Sequence, residues 1–153
     1  MLELQLGRLK VNPGAHMAVA LNVKCQPTVY GYPGLDLAEP LVLEGQAENR
    51  GTDISVTGEI KAVLDLACSR CGQGFQQVLK LPFAEVYSWQ AELVDRDGEQ
   101  DIHLFEGDVI DLAPEVLRQI FLELPMKPLC REDCQGLCPH CGVDLTREQC
   151  ACP

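Results

Sequence analysis

With 153 residues, 46% of them hydrophobic and 23% charged, the chain falls in the globular class and suffices for one ordinary domain with a small appendage. It has no run of about 18 apolar residues, which predicts a soluble protein without a membrane span. Twenty-three acidic residues against twelve basic ones give a formal charge of −11, and the Lys and Arg residues are scattered singly. Nucleic-acid binders draw most of their non-specific affinity from neutralised phosphates, so this balance weighs against tight direct RNA or DNA binding and toward a basic protein partner.

The N-terminus, Met1 to Lys10, alternates apolar and polar residues through Leu2, Leu4 and Leu6. That is strand patterning rather than the unbroken apolar centre of a signal peptide, so residues 1–24 are read as strand and the protein is expected to stay in the cytoplasm. Tyr30-Gly-Tyr-Pro-Gly34 is turn-forming. Residues 41–67 carry two alternating runs, Val42 to Glu48 and Ile54 to Leu66, around Asn49-Arg-Gly-Thr-Asp53, whose Asn, Gly and Asp suit a hairpin connection. Gln76 to Trp89 alternates again and is read as a further hairpin arm, because Pro82 would cost a helix there about 3 kcal/mol.

From Glu92 to Glu115 there are nine acidic residues and one basic one, Arg96, with Asp97-Gly98 at an expected turn. This composition predicts a solvated, mobile loop. Asp111-Leu-Ala-Pro114 then reads as a helix start, with Asp111 able to cap and Pro114 tolerated in the first turn. Leu112, Val116, Leu117, Ile120, Phe121 and Leu124 form an apolar stripe that predicts a helix over 112–124 packed on the sheet and stopped by Pro125. The fold class expected is α+β: mostly antiparallel strands forming a sheet or partial barrel, one main amphipathic helix, and a zinc-stapled C-terminal knuckle. Residues 1–129 would form the strand-rich body and 130–153 a cysteine-rich tail packed on it.

Nine cysteines stand out, eight of them in pairs: Cys68/Cys71, Cys130/Cys134, Cys138/Cys141 and Cys150/Cys152. In a reducing compartment closely spaced thiols bind metal rather than form disulfides, and Cys150-Ala-Cys152 is too tight for an easy mutual bridge. Cys68-Ser-Arg-Cys-Gly72 and Cys138-Pro-His-Cys-Gly142 each place a glycine directly after the second cysteine, where a positive φ turns backbone amides toward the sulfurs, as in a zinc knuckle. Eight thiols make two four-coordinate sites. One division joins Cys68, Cys71, Cys130 and Cys134 as the first site and Cys138, Cys141, Cys150 and Cys152 as the second, whose loops close at little entropic cost. The rival sets Cys68/Cys71 with Cys138/Cys141 as a zinc ribbon, and a third reading holds a single ion.

Thioredoxin-like redox chemistry fits poorly, since Cys68 to Cys71 is followed by Gly-Gln-Gly and more strand pattern, and an iron–sulfur cluster fits less well than structural zinc. Four thiolates close the metal shell, so catalysis at these ions is not expected and no enzymatic role is predicted. His140 lies inside a knuckle and is read as solvent-facing. His16 and His103 have no matching carboxylate or nucleophile motif in sequence, and Cys25 is read as a small core residue.

The order of a strand-rich half, Cys68-Ser-Arg-Cys71, an acidic stretch, the Asp111 helix ending in Leu124-Pro125, then Pro128 to Gly142, Asp144-Leu145 and Cys150-x-Cys152, resembles the bacterial and plastid DUF177, or YceD, family. The resemblance implies a part in 23S ribosomal RNA accumulation and ribosome biogenesis, with the large-subunit precursor, or a basic ribosomal protein such as L32, as partner. Two closed zinc–tetrathiolate sites would each add −2, lowering the formal −11 to about −15 and making phosphate contact harder still. The expectation is therefore an indirect action on rRNA through protein contacts, with the acidic 92–115 segment attracting the basic partner. The alternative is a module that binds 23S precursor directly through Arg70, Lys127, Arg131 and Arg147 near the metal sites.

Overall fold

The alternating runs on either side of Asn49–Asp53 build the antiparallel pair at the centre of the protein, seen in a computed structural model that describes residues 2–94 and 101–152. In chain order the strands are β1 (Glu3–Gln5), β2 (His16–Val23), β3 (Leu41–Asn49), β4 (Ile54–Ala67), β5 (Gly74–Ser88), β6 (Ile102–Leu104) and β7 (Val109–Asp111). The helical segments are α1 (Gly7–Lys10), α2 (Ala91–Val94) and α3 (Ala113–Leu122). Strands β2-β3-β4-β5-β6 form one sheet, antiparallel except that β6 runs parallel to β5, and β1 pairs with β7 in a second, two-stranded sheet.

The period of two puts Leu41, Leu43 and Ala47 of β3, Ile54, Val56 and Ile60 of β4, and Phe83 and Tyr87 of β5 on one face. Helix α3 closes that face with Val116, Leu117 and Ile120, all buried, and burying each such side chain contributes about 1.5–3 kcal/mol. Asn49 is buried as well and fully partnered: its amide donates to the Leu9 and Lys10 carbonyls and its oxygen accepts from the Gly51 N–H. Midway along the hairpin Gly45 and Gly58 are register partners, and a Cβ on either would run into the carbonyl of the facing strand, Thr57 for Gly45 and Glu44 for Gly58. Pro82 lies in the part of β5 that β6 does not reach, so its missing N–H removes no ladder bond there.

Three expectations need correction. The strand reading of residues 1–24 holds at Glu3–Gln5 and His16–Val23 but fails between them, where Leu6 and Leu9 are both buried and a step of three residues keeps them on one face only if the chain turns helically, as α1 does. The main helix is shorter than the stripe: Leu122 is its last residue, with the residue before Pro125 barred from helical geometry, and Phe121 is half-exposed against Tyr32 rather than in the core. The acidic stretch is not simply a loop. Ala91–Val94 is helical and 102–104 and 109–111 are strands, held because Ile110 and Leu112 carry its apolar positions into the core. The turn read at Asp97-Gly98 lies outside the described residues. Asp111 stands one residue before the N-cap Leu112 and accepts the first-turn Ala113 N–H at 3.0 Å while also taking the Leu2 N–H and the Tyr30 hydroxyl. No helix among the described residues is long and apolar enough to cross a membrane.

Candidate metal centres

Strands β4 and β5 run on past the body, and their connection carries Cys68 and Cys71. The turn closes through Gly72, at φ 74°, whose N–H donates to the Cys68 carbonyl at 2.9 Å, while the Cys68 N–H donates to Gln73. Seventy residues on, the same knuckle recurs. Gly142, at φ 76°, donates to the Cys138 carbonyl at 2.9 Å, and the Cys138 N–H donates to Val143. Both glycines adopt the left-handed backbone that the Cys-x-x-Cys-Gly spacing called for.

The structure brings the eight paired cysteines into two groups: Cys68, Cys71, Cys130 and Cys134, and Cys138, Cys141, Cys150 and Cys152, with all sulfurs of a group within 4.8 Å of one another. The ribbon arrangement, with Cys68/Cys71 beside Cys138/Cys141, is not what the chain assembles. Zinc–sulfur bonds of about 2.3 Å in a tetrahedron require sulfurs about 3.8 Å apart. In the first group Cys68–Cys134 and Cys71–Cys130 are each 3.7 Å; in the second, Cys138–Cys150 and Cys141–Cys150 are 3.2 and 3.6 Å. These separations and the soft donor set fit a tetrahedral, thiophilic cation, which would fill its shell and leave no position for substrate. All nine cysteines are free thiols, and Cys25 is buried in the body as expected.

Backbone N–H groups prepare Cys68 and Cys138 to ionise. The Cys71 backbone N–H, then those of Cys130 and Arg70, lowers the Cys68 thiol to about 6, and the Cys141 and His140 N–H groups lower Cys138 to about 6. Burial and the neighbouring sulfurs push Cys130 up to about 12. Cys150, although the Cys152 N–H works the other way, is pushed up to about 12 by the Cys138 and Cys152 sulfurs. Cys68 and Cys138 can thus meet a cation as thiolates near neutral pH, and ligation by the raised thiols Cys130 and Cys150 would release their protons.

The surroundings differ. Phe75 and Leu129 pack on the first group, Arg70 donates to the Cys134 carbonyl at 2.7 Å, and the Ser69 N–H donates to Pro128 at 2.7 Å, tying the hairpin to the chain that leaves α3. The second group is held by its own loop, through Leu145 N–H to Gly136 and Gln135 N–H to the Thr146 hydroxyl, with Cys141 exposed. His140 is exposed, as read from sequence.

The neighbours of His103 are apparent only in the fold. Its Nε2 is 2.9 Å from Glu85 and its Nδ1 3.4 Å from Glu115, while Glu85 also accepts from Arg118 and Gln119 and Glu115 from Tyr87. His16 faces Glu48 across the β2–β3 pair at 3.9 Å.

An α+β body carries two four-thiol clusters on matching glycine-closed turns, each positioned to hold a metal ion. The chain belongs to the YceD family: the family described as "Large ribosomal RNA subunit accumulation protein YceD" matches residues 56–153, a span that holds both cysteine clusters. An uncharacterized protein of Mycobacterium tuberculosis is 29% identical over 150 residues, covering 96% of this chain and 72% of that protein. A chloroplastic protein of Arabidopsis thaliana, named as a large ribosomal RNA subunit accumulation protein YCED homolog, is 23% identical over 178 residues, covering 98% and 54%. An uncharacterized protein of Bacillus subtilis is 28% identical over 106 residues, covering 69% and 60%. No solved structure matches the chain.

Proposed function

We propose that this protein is a non-enzymatic assembly factor for the large ribosomal subunit, sustaining 23S rRNA in the cytoplasm through contact with a basic ribosomal protein, for which L32 is a candidate. The family match over residues 56–153 carries this reading, because large-subunit rRNA accumulation is the role that the family's description states. The formal charge of −11 supports a protein contact over a phosphate contact. Zinc held by Cys68, Cys71, Cys130 and Cys134, and by Cys138, Cys141, Cys150 and Cys152, would act structurally, fixing a tail of residues 130–153 on a body of residues 1–129. Cosedimentation tests the proposal: the protein is expected in large-subunit precursor particles, with 23S rRNA falling on depletion. Absence from those particles together with normal 23S levels would defeat it.

A second reading, direct binding of 23S precursor, is favoured by one feature. Arg70 and Lys127, with Ser69 and Leu129, line a cleft of about 440 Å³ beside the first cysteine group. In that case the RNA gel shift is lost when Arg70, Lys127, Arg131 and Arg147 become Ala, and its salt dependence flattens.

A further inference from the structure

The two edges of the main sheet are treated differently. The Arg50 N–H closes the β3–β4 turn onto Asp53, while where β2 meets β3 the Asn49 N–H donates to the Ala15 carbonyl. An antiparallel ladder alternates from there, so the N–H and C=O of His16, Ala18, Ala20 and Asn22 point away from β3. Among the described residues no strand meets them. Strand β2 is eight residues long and contains no Lys, Arg, Asp, Glu or Pro. The stretch of β5 that β6 leaves unpaired, by contrast, carries Lys80 and Pro82, the residues that blunt an edge against strand addition. The sheet thus guards one edge and leaves the other ready to pair.

We infer that the open edge of β2 is a docking site for an extended, lysine- or arginine-rich segment of a partner protein, added as a sixth strand; this rests on the proposed contact with a basic protein and names its mode. Three observations select that occupant. On the outer face the β2 residues in register with Glu44 and Gln46 are Ala20 and Ala18, both exposed, and Ala20 is too small to screen the Glu44 carboxylate behind it. A strand added at β2 lies two strand spacings, about 9.6 Å, from β3, within the combined reach of a long cationic side chain and Glu44 or Glu48. On the inner face Met17, Leu21 and Val23 are only half-buried against the core, so apolar residues alternating with the cations would complete their cover. A second copy of the chain is the poorer occupant, since antiparallel pairing of two β2 edges would join two bodies of charge −11 with Glu44 and Glu48 of each flanking the seam.

The test compares the full-length protein with Ala20→Pro, which removes an outward N–H without touching the β2–β3 ladder, and with Ala20→Lys, which keeps every N–H but sets a cation in front of Glu44. The probe is a fluorescent Lys-Val-Lys-Val-Lys-Val-Lys peptide, with Glu-Val-Glu-Val-Glu-Val-Glu as control. The lysine peptide is expected to bind, to protect the amides of His16, Ala18, Ala20 and Asn22 from exchange, and to bind each variant about tenfold more weakly or worse. No binding, equal binding of the acidic peptide, or unchanged affinity in Ala20→Lys overturns the inference. A wild-type dimer that Ala20→Lys or Ala20→Pro dissolves also overturns it, in favour of the second copy. Cosedimentation separates the two levels: if wild type and both variants enter precursor particles alike, the edge is not the contact and the assembly role stands; if none enters, the role itself fails.

Discussion

The two cysteine groups are built on the same turn and do different work. Cys68 and Cys71 sit where β4 passes into β5, and their partners Cys130 and Cys134 arrive from beyond α3, so the first group joins Cys71 to Cys130, 59 positions apart. Cys138 and Cys150 are 12 apart, and the second group closes only its own tail. Closing the longer loop removes more freedom from the unfolded chain, and the first group is also the more buried, with Cys68 and Cys134 enclosed and Cys141 exposed. The difference shows that identical knuckles can serve as a tertiary staple or as a local fold, according to where the second pair of thiols comes from.

The largest effect should follow breaking the staple. Cys68→Ser is expected to lower the zinc content from about two per chain to about one and to destabilise the body by several kcal/mol, read by metal analysis and thermal melting. A Cys68→Ser protein that melts like wild type would erase the distinction between the groups. Gly58→Ala should come next, costing roughly 2–4 kcal/mol because its Cβ meets the Glu44 carbonyl and bends the strand that carries Cys68. In cobalt-substituted protein the first group's absorption should weaken in this variant while the second group's persists. Cys150→Ser is expected to lose one zinc as well, yet to change body stability by no more than about 0.5 kcal/mol, with amide shifts confined to residues 136–152. A global loss of stability there would make the tail part of the body.

Much of this contrast was legible in the sequence because it depends on short-range chemistry. Cys-x-x-Cys-Gly fixes a knuckle whatever surrounds it, and the alternation around Asn49–Asp53 fixes a hairpin. What escaped is what only distant contacts decide. The pairing of β1 with β7 brings Leu4 to Ile110, and β7, three residues long, has no periodicity of its own. Strand β6 lies in the acidic stretch and is held parallel to β5 by a pairing that three residues cannot announce. The cluster of Glu85, His103, Glu115 and Arg118 draws on β5, β6 and α3, each contributing a side chain that alone reads as surface charge. Helix α1 escapes the sequence pattern because Leu2, Leu4 and Leu6 do alternate, and the change of period shows only at Leu9.

The smallest expected effect separates body from tail by pH. Burial, and then the Asp111 carboxylate that accepts its hydrogen bond, raises the Tyr30 hydroxyl above the ordinary tyrosine value of about 10; burial and Glu115 do the same for Tyr87. The unfolded chain therefore gives up these protons first. Their contribution to stability is whole below about pH 10 and is lost as pH climbs past it toward the folded values. Thiolate ligation has the opposite sense, weakening as acid competes for the sulfurs. Both tyrosines lie in the body, and the tail from Cys130 onward contains none. Melting temperature should therefore begin to fall above about pH 10 while the tail's amide dispersion persists, and Tyr30→Phe should lessen the alkaline slope. If body and tail instead lost order together at one pH, the first cysteine group would be coupling them more tightly than its geometry suggests, and the staple would have to be counted as holding the tail as firmly as it holds the hairpin.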